Sequence, residues 1–163
     1  MFWQIKADEL NQIYPVAKLP DLAFALEKQI ITSDEAQNFI IASLNDQSEP
    51  HFFDLAIETD QFTFINNIIS YLDEENENYQ KKLWVYIFLS WLKLYADYHQ
   101  NRFKLLDHIY IVLERPIFLT PLEEYYQFLD DEIVIANYRD QQRQIILKKL
   151  AVELELPFSK KPQ

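Results

Sequence analysis

Asn76-Glu77-Asn78-Tyr79-Gln80-Lys81-Lys82-Leu83-Trp84-Val85-Tyr86-Ile87-Phe88-Leu89-Ser90-Trp91-Leu92-Lys93-Leu94-Tyr95-Ala96-Asp97-Tyr98-His99 is the stretch whose reading decides the fold. Trp84, Phe88, Trp91, Tyr95 and Tyr98 recur at steps of 4, 3, 4 and 3, which is one stripe of an α-helix, while Lys82, Lys93, Asp97 and Gln100 mark a wetter side. From Leu83 to Leu89 every side chain is apolar or aromatic. Such a segment is expected to be surrounded by other helices, so residues 76–99 are read as a central post.

The same spacing recurs on both sides. Asp8 to Tyr14 forms a short helix closed by Pro15, and Leu19-Pro20-Asp21 opens a second one bearing Leu22, Ala25, Leu26 and Ile30. Thr32-Ser33-Asp34-Glu35 has the hydroxyl-to-glutamate spacing of a capping box. Ser48-Glu49-Pro50 and Asp60 read as further helix starts, as does Thr120-Pro121-Leu122-Glu123, while Asn101 and Asn137 begin two more helices. The β-branched runs Ile109-Tyr110-Ile111-Val112 and Ile133-Val134-Ile135, and residues 2–5, are the places where a short strand competes with helix.

The chain contains no glycine, whereas a usual usage of ~7% would give about eleven. Glycine supplies the positive φ of tight hairpins and the close backbone approach of phosphate-binding loops. Its absence disfavours a sheet-rich fold and excludes dinucleotide and P-loop fingerprints in their usual form. These features together predict an all-α, single-domain bundle of seven or eight helices over residues 1–156, with 157–163 as a flexible tail.

With no cysteine there are no disulfides or thiolate sites. The start Met1-Phe2-Trp3-Gln4-Ile5-Lys6-Ala7-Asp8 lacks a basic, then apolar leader pattern. The apolar run Leu83–Leu92 falls short of the ~20 residues of a membrane span. A soluble, cytoplasmic protein is expected.

Leu83-Trp84-Val85-Tyr86, Leu89-Ser90-Trp91-Leu92, Ile109-Tyr110 and Arg115-Pro116-Ile117 form one trace with Leu26-Glu27-Lys28-Gln29-Ile30-Ile31-Thr32. This trace resembles a bacterial family catalogued as a domain of unknown function. The resemblance covers about two-thirds of the chain, rests mainly on packing aromatics and implies no active site. Members of that family usually carry glycine in the turn matching Lys28-Gln29-Ile30, which this chain lacks. In its small, acidic, helical character the chain is also similar to immunity proteins of bacterial toxin systems.

Chemistry-bearing patterns are sparse. His51-Phe52-Phe53-Asp54, Asp97-Tyr98-His99 and Asp107-His108 pair imidazole with carboxylate, yet neither Glu-x-x-His nor His-Glu-x-x-His occurs. No serine lies on a glycine-flanked nucleophile elbow. The expectation is therefore no enzymatic activity, no metal and no cofactor.

The net charge of −11 is unevenly spread, since residues 1–100 carry 16 acids against 6 bases. Two carboxylate clusters stand out as a docking face for a basic protein. One is Asp73, Glu74, Glu75 and Glu77, and the other is Glu123, Glu124, Asp130, Asp131 and Glu132. The competing reading is solvated acids, partly serving a helix dipole and the Glu77–Lys81 pair. Arg139, Arg143, Lys148 and Lys149 are expected to pair with the acidic body rather than bind nucleic acid. The favoured function is an immunity protein neutralising a basic toxin, as a monomer or dimer that binds neither nucleic acid nor membrane. The alternatives are a helical adaptor or self-associating scaffold, and a hydrolase built on dispersed residues.

Overall fold

A computed structural model describes residues 3–96, 102–123 and 132–156. Among the described residues the chain is all-α, with no strand. The described residues form eight helices of seven residues or more: α1 (Ala7–Ile13), α2 (Leu19–Glu27), α3 (Ser33–Ser43), α4 (Pro50–Ile57), α5 (Gln61–Ile69), α6 (Glu77–Trp91), α7 (Arg102–Val112) and α9 (Glu132–Glu153). A four-residue helix, α8 (Thr120–Glu123), follows the 3-10 turn Ile117–Leu119. The competing strand segments resolve as helix where they are described, 109–112 within α7 and 133–135 within α9. Trp3 to Ile5 is extended without sheet pairing, tied by the Ile5 N–H to the Ile30 carbonyl at 2.9 Å.

The chain divides into two compact units. The N-terminal unit is Trp3–Gln80, and the C-terminal unit takes the chain from Lys81 onward. In the N-terminal unit α2 lies against α5, and α3 against α1 and α4. Leu10, Leu22, Phe24, Ile30, Phe39, Ile40, Phe64 and Ile68 form its buried interior. The C-terminal unit packs α8 on α9 and buries Leu105, Leu106, Ile109, Leu113, Leu147 and Leu150.

Three helix starts act as read from sequence, one of them with a redirection. Asp60 Oδ1 accepts from the N–H groups of Phe62 and Thr63, and Pro50 occupies the first turn of α4. Thr32 Oγ1 accepts from Glu35 N–H, but the Glu35 carboxylate turns away and accepts from Ala7 N–H at 2.6 Å. The second half of that capping box thus caps α1, fastening two helices together.

Leu83 to Leu89 is buried throughout, as its unbroken apolar run predicts, and Ser90 is buried with it. The aromatic stripe departs from expectation at its far end. Trp91 is half-buried, Tyr95 is exposed, and Tyr98 lies outside the described residues. The α-helix gives way after Trp91 to a π-helical turn over Leu92–Ala96, and 97–99 lie outside the described residues, as does the expected tail 157–163. The last helix begins at Glu132, five positions before the expected Asn137.

Helix ends are closed without glycine by residues forced to positive φ. At the end of α2, Gln29 has φ 61°, its N–H donates to Leu26 O, and Ile30 N–H donates to Ala25 O. These are the two bonds of a Schellman motif, and buried Ile30 supplies its hydrophobic closure. Glu114 (φ 63°) and Glu155 (φ 55°) repeat it, with Arg115 N–H on Tyr110 O and Leu156 N–H on Ala151 O. A Cβ in this conformation costs about 1 kcal/mol. Gln29→Gly is therefore expected to stabilise the protein by about 1 kcal/mol, a rise in melting temperature of roughly 2–4 °C.

Ser90 offers a second stability test. Its hydroxyl is buried and has no hydrogen-bond partner among the described residues. A buried orphan hydroxyl costs about 1–3 kcal/mol. Ser90→Ala removes the hydroxyl at nearly constant shape and is expected to raise the denaturant midpoint, by about 1 kcal/mol of stability.

Candidate functional site

The N-terminal unit concentrates the charge of the protein. Between Trp3 and Gln80 lie fifteen carboxylates and three lysines, a net charge of −12, whereas eleven acids and twelve bases from Lys81 onward give +1. The C-terminal unit balances its charges internally. Arg139, although buried, donates from Nη2 to Asp107 Oδ1 at 2.9 Å, and Arg143 lies 3.6 Å from Asp140. Lys82 pairs with Glu153, and Lys81 Nζ lies 3.4 Å from Glu114. Lys148 and Lys149 depart from the expected pairing. They are exposed and make no ion pair among the described residues.

Within the acidic unit a polar cleft of about 450 Å³ opens where the α1–α2 turn meets the start of α6. Tyr14, Lys18, Asp21, Asp73, Tyr79 and Gln80 line it. Asp21 sits in the first turn of α2 and is only 4% exposed. Its Oδ2 accepts from Lys18 N–H at 2.9 Å, and its Oδ1 accepts from Gln80 Nε2 at 2.8 Å. No cation pairs with it among the described residues, although a buried carboxylate normally requires one. Gln80 is likewise 4% exposed, and its Oε1 has no hydrogen-bond partner among the described residues.

Of the four acids of the first cluster, only Asp73 lines the cleft, where its Oδ2 accepts from Asn76 Nδ2 at 2.6 Å. Glu74, Glu75 and Glu77 are exposed beside it. The second cluster is described only at its ends, Glu123 closing α8 and Glu132 opening α9. Glu124, Asp130 and Asp131 lie outside the described residues. Asp21, Tyr14 and Gln80 were not singled out by sequence. Asp21 read as a helix opener, and its bond to Gln80 joins positions 59 apart, for which a single sequence carries no signal.

The two described histidines, His51 and His108, share no site. His51 Nδ1 lies 3.3 Å from Glu49, and its ring lies against Phe52 and Tyr71. Burial holds His108 below the ordinary imidazole range, and His99 lies outside the described residues. Among the described residues no three His, Asp or Glu side chains gather as a metal cage, and no helix is long and apolar enough to cross a membrane.

A family model described as an uncharacterized protein conserved in bacteria, DUF2247, matches residues 9–150. The chain belongs to that family. No curated protein and no solved structure matches it. The matched span includes every residue lining the acidic cleft, so the cleft falls within the family's domain.

The cleft has a pH signature. Burial foremost, then the charge of Asp21 and the hydrogen-bonded Tyr79, push the Tyr14 phenol above its ordinary value of 10.0. The folded state therefore holds this proton more tightly than the unfolded chain does. The resulting stabilisation is complete below about pH 10 and is lost as pH rises above it. Urea midpoints are expected to fall above about pH 10 in the native chain, and to fall less in Tyr14→Phe.

Proposed function

We propose that this protein is a non-enzymatic acidic binding module that neutralises a basic protein, most simply a bacterial toxin whose active surface is cationic. The observation that carries the reading is the segregation of charge, −12 in one compact helical unit against +1 in the rest of the chain. So large a charge on about half the chain raises the cost of folding through self-repulsion, and a basic partner relieves that repulsion. Complementary charge also accelerates encounter, in favourable cases toward ~10⁸–10⁹ M⁻¹s⁻¹, and discriminates against acidic competitors. Exposed Glu74, Glu75 and Glu77 supply the steering field, and the cleft at Asp73 supplies a place to engage.

A second reading, a helical adaptor or self-associating scaffold, is favoured by apolar surface. In the C-terminal unit Ile117 (88% exposed), Ile145 and Val152 line an apolar groove of about 890 Å³ rimmed by Lys148 and Lys149. Size-exclusion chromatography with light scattering separates the two readings, because concentration-dependent dimerisation that is lost in Ile117→Asp follows only from the second.

If the neighbouring gene encodes a basic toxin, as the reading expects, co-expression of this chain is expected to rescue growth from it. Replacing Asp73, Glu74, Glu75 and Glu77 together by lysine changes the local charge by eight and is expected to abolish rescue while the helical circular dichroism is retained. Undiminished rescue would remove this cluster from the docking face.

A further inference from the structure

We propose that the cleft lined by Asp21, Asp73 and Gln80 receives one arginine side chain of the basic partner, so that a guanidinium supplies the cation that buried Asp21 lacks among the described residues. The proposal rests on the docking reading above and names the chemistry at its centre. Three observations lead to it.

First, Gln80 lines the cleft, is 4% exposed, and its enclosed Oε1 has no hydrogen-bond partner among the described residues. A buried unsatisfied acceptor is costly, and a donor brought by a ligand recovers that cost. Second, Asp21 is its hydrogen-bond partner, equally buried, holding two neutral donors and no cation among the described residues. A carboxylate in that condition is stabilised by an incoming positive charge more strongly than an exposed one. Third, Asp73 adds a second carboxylate, and the Tyr14 and Tyr79 rings add aromatic walls. Lys18, exposed at the rim, is the opposing cation, so two carboxylates against one ammonium leave the cleft at −1.

The chemistry selects guanidinium over the alternatives. Its planar fork presents five donors, enough to reach carboxylate and amide acceptors together, and its flat face stacks on aromatic rings. An ammonium is a point donor that forgoes the stacking. A calcium ion calls for six to eight oxygen ligands, while both Asp21 oxygens already accept hydrogen bonds. The cleft volume of about 450 Å³ lies within the ~300–1,000 Å³ span of small-ligand sites and suits one long side chain.

The test titrates the isotope-labelled full-length chain with an arginine blocked at both ends, N-acetyl-arginine methylamide, observed by NMR. Saturable shifts are expected at the Gln80 side-chain amide and at the Tyr14 and Tyr79 rings. The blocked lysine analogue is expected to bind about tenfold more weakly, and the citrulline analogue, isosteric but uncharged, to give no saturation. Asp73→Asn is expected to weaken binding about tenfold, as is Gln80→Met, which removes the orphan acceptor at similar volume. Absence of saturation would overturn the proposal, as would equal binding of the citrulline analogue or unchanged affinity in both variants. Free arginine binding more than about tenfold tighter than the blocked compound would assign the cleft to an amino-acid ligand and overturn the partner side chain. Saturation by the blocked arginine without rescue of growth would overturn the toxin reading alone. Rescue without saturation would overturn the cleft assignment alone.

Discussion

Every reversal of chain direction in this protein has to be made by residues that carry a Cβ, because there is no glycine in the sequence. Three helices accordingly end in Schellman motifs that hold Gln29, Glu114 and Glu155 at positive φ. The hydrogen bonds gained there, and the burial of Ile30 against the end of α2, offset a backbone cost of about 1 kcal/mol at each. That constraint reaches the cleft. The Gln29 turn sets the exit of α2, the helix that carries Asp21 in its first turn.

The helical class and most helix starts were legible because they rest on local chemistry. Thr32, Pro50 and Asp60 act within three residues of their partners, and a single sequence displays that spacing directly. The enclosure of the central helix was legible in its composition, because Leu83–Leu89 carries only apolar and aromatic side chains and is buried throughout. Its aromatic stripe was legible only in part, since Trp91 is half-buried and Tyr95 exposed. Two compact units, Trp3–Gln80 and the chain from Lys81 onward, are told apart in the fold, with the boundary inside the sequence of α6. The division falls between Gln80 and Lys81, where the first run of bases begins, and only contacts reveal it.

The site was half legible for the same reason. Asp73 belongs to an acidic run that any charge count finds. Asp21 is an isolated acid after a proline, a pattern that a helix start explains completely, and nothing local marks it as buried without a cation. Its partner Gln80 lies 59 positions away, in a stretch dominated by carboxylates and lysines. A cleft that joins the two arises from the packing of the α1–α2 turn against the start of α6, below the reach of composition. The Lys18 N–H that caps Asp21 is equally silent in sequence, since any non-proline residue supplies it.

The central claim is that the acidic N-terminal unit is the surface that meets a basic partner. Hydrogen–deuterium exchange on the full chain, alone and with a basic toxin from whose action it rescues growth, tests it most directly. The account predicts added protection in the α1–α2 turn around Tyr14–Asp21 and in Asp73–Gln80, diminishing as salt is raised and the charges are screened. Protection confined to α7 and α9, unchanged by salt, would contradict it.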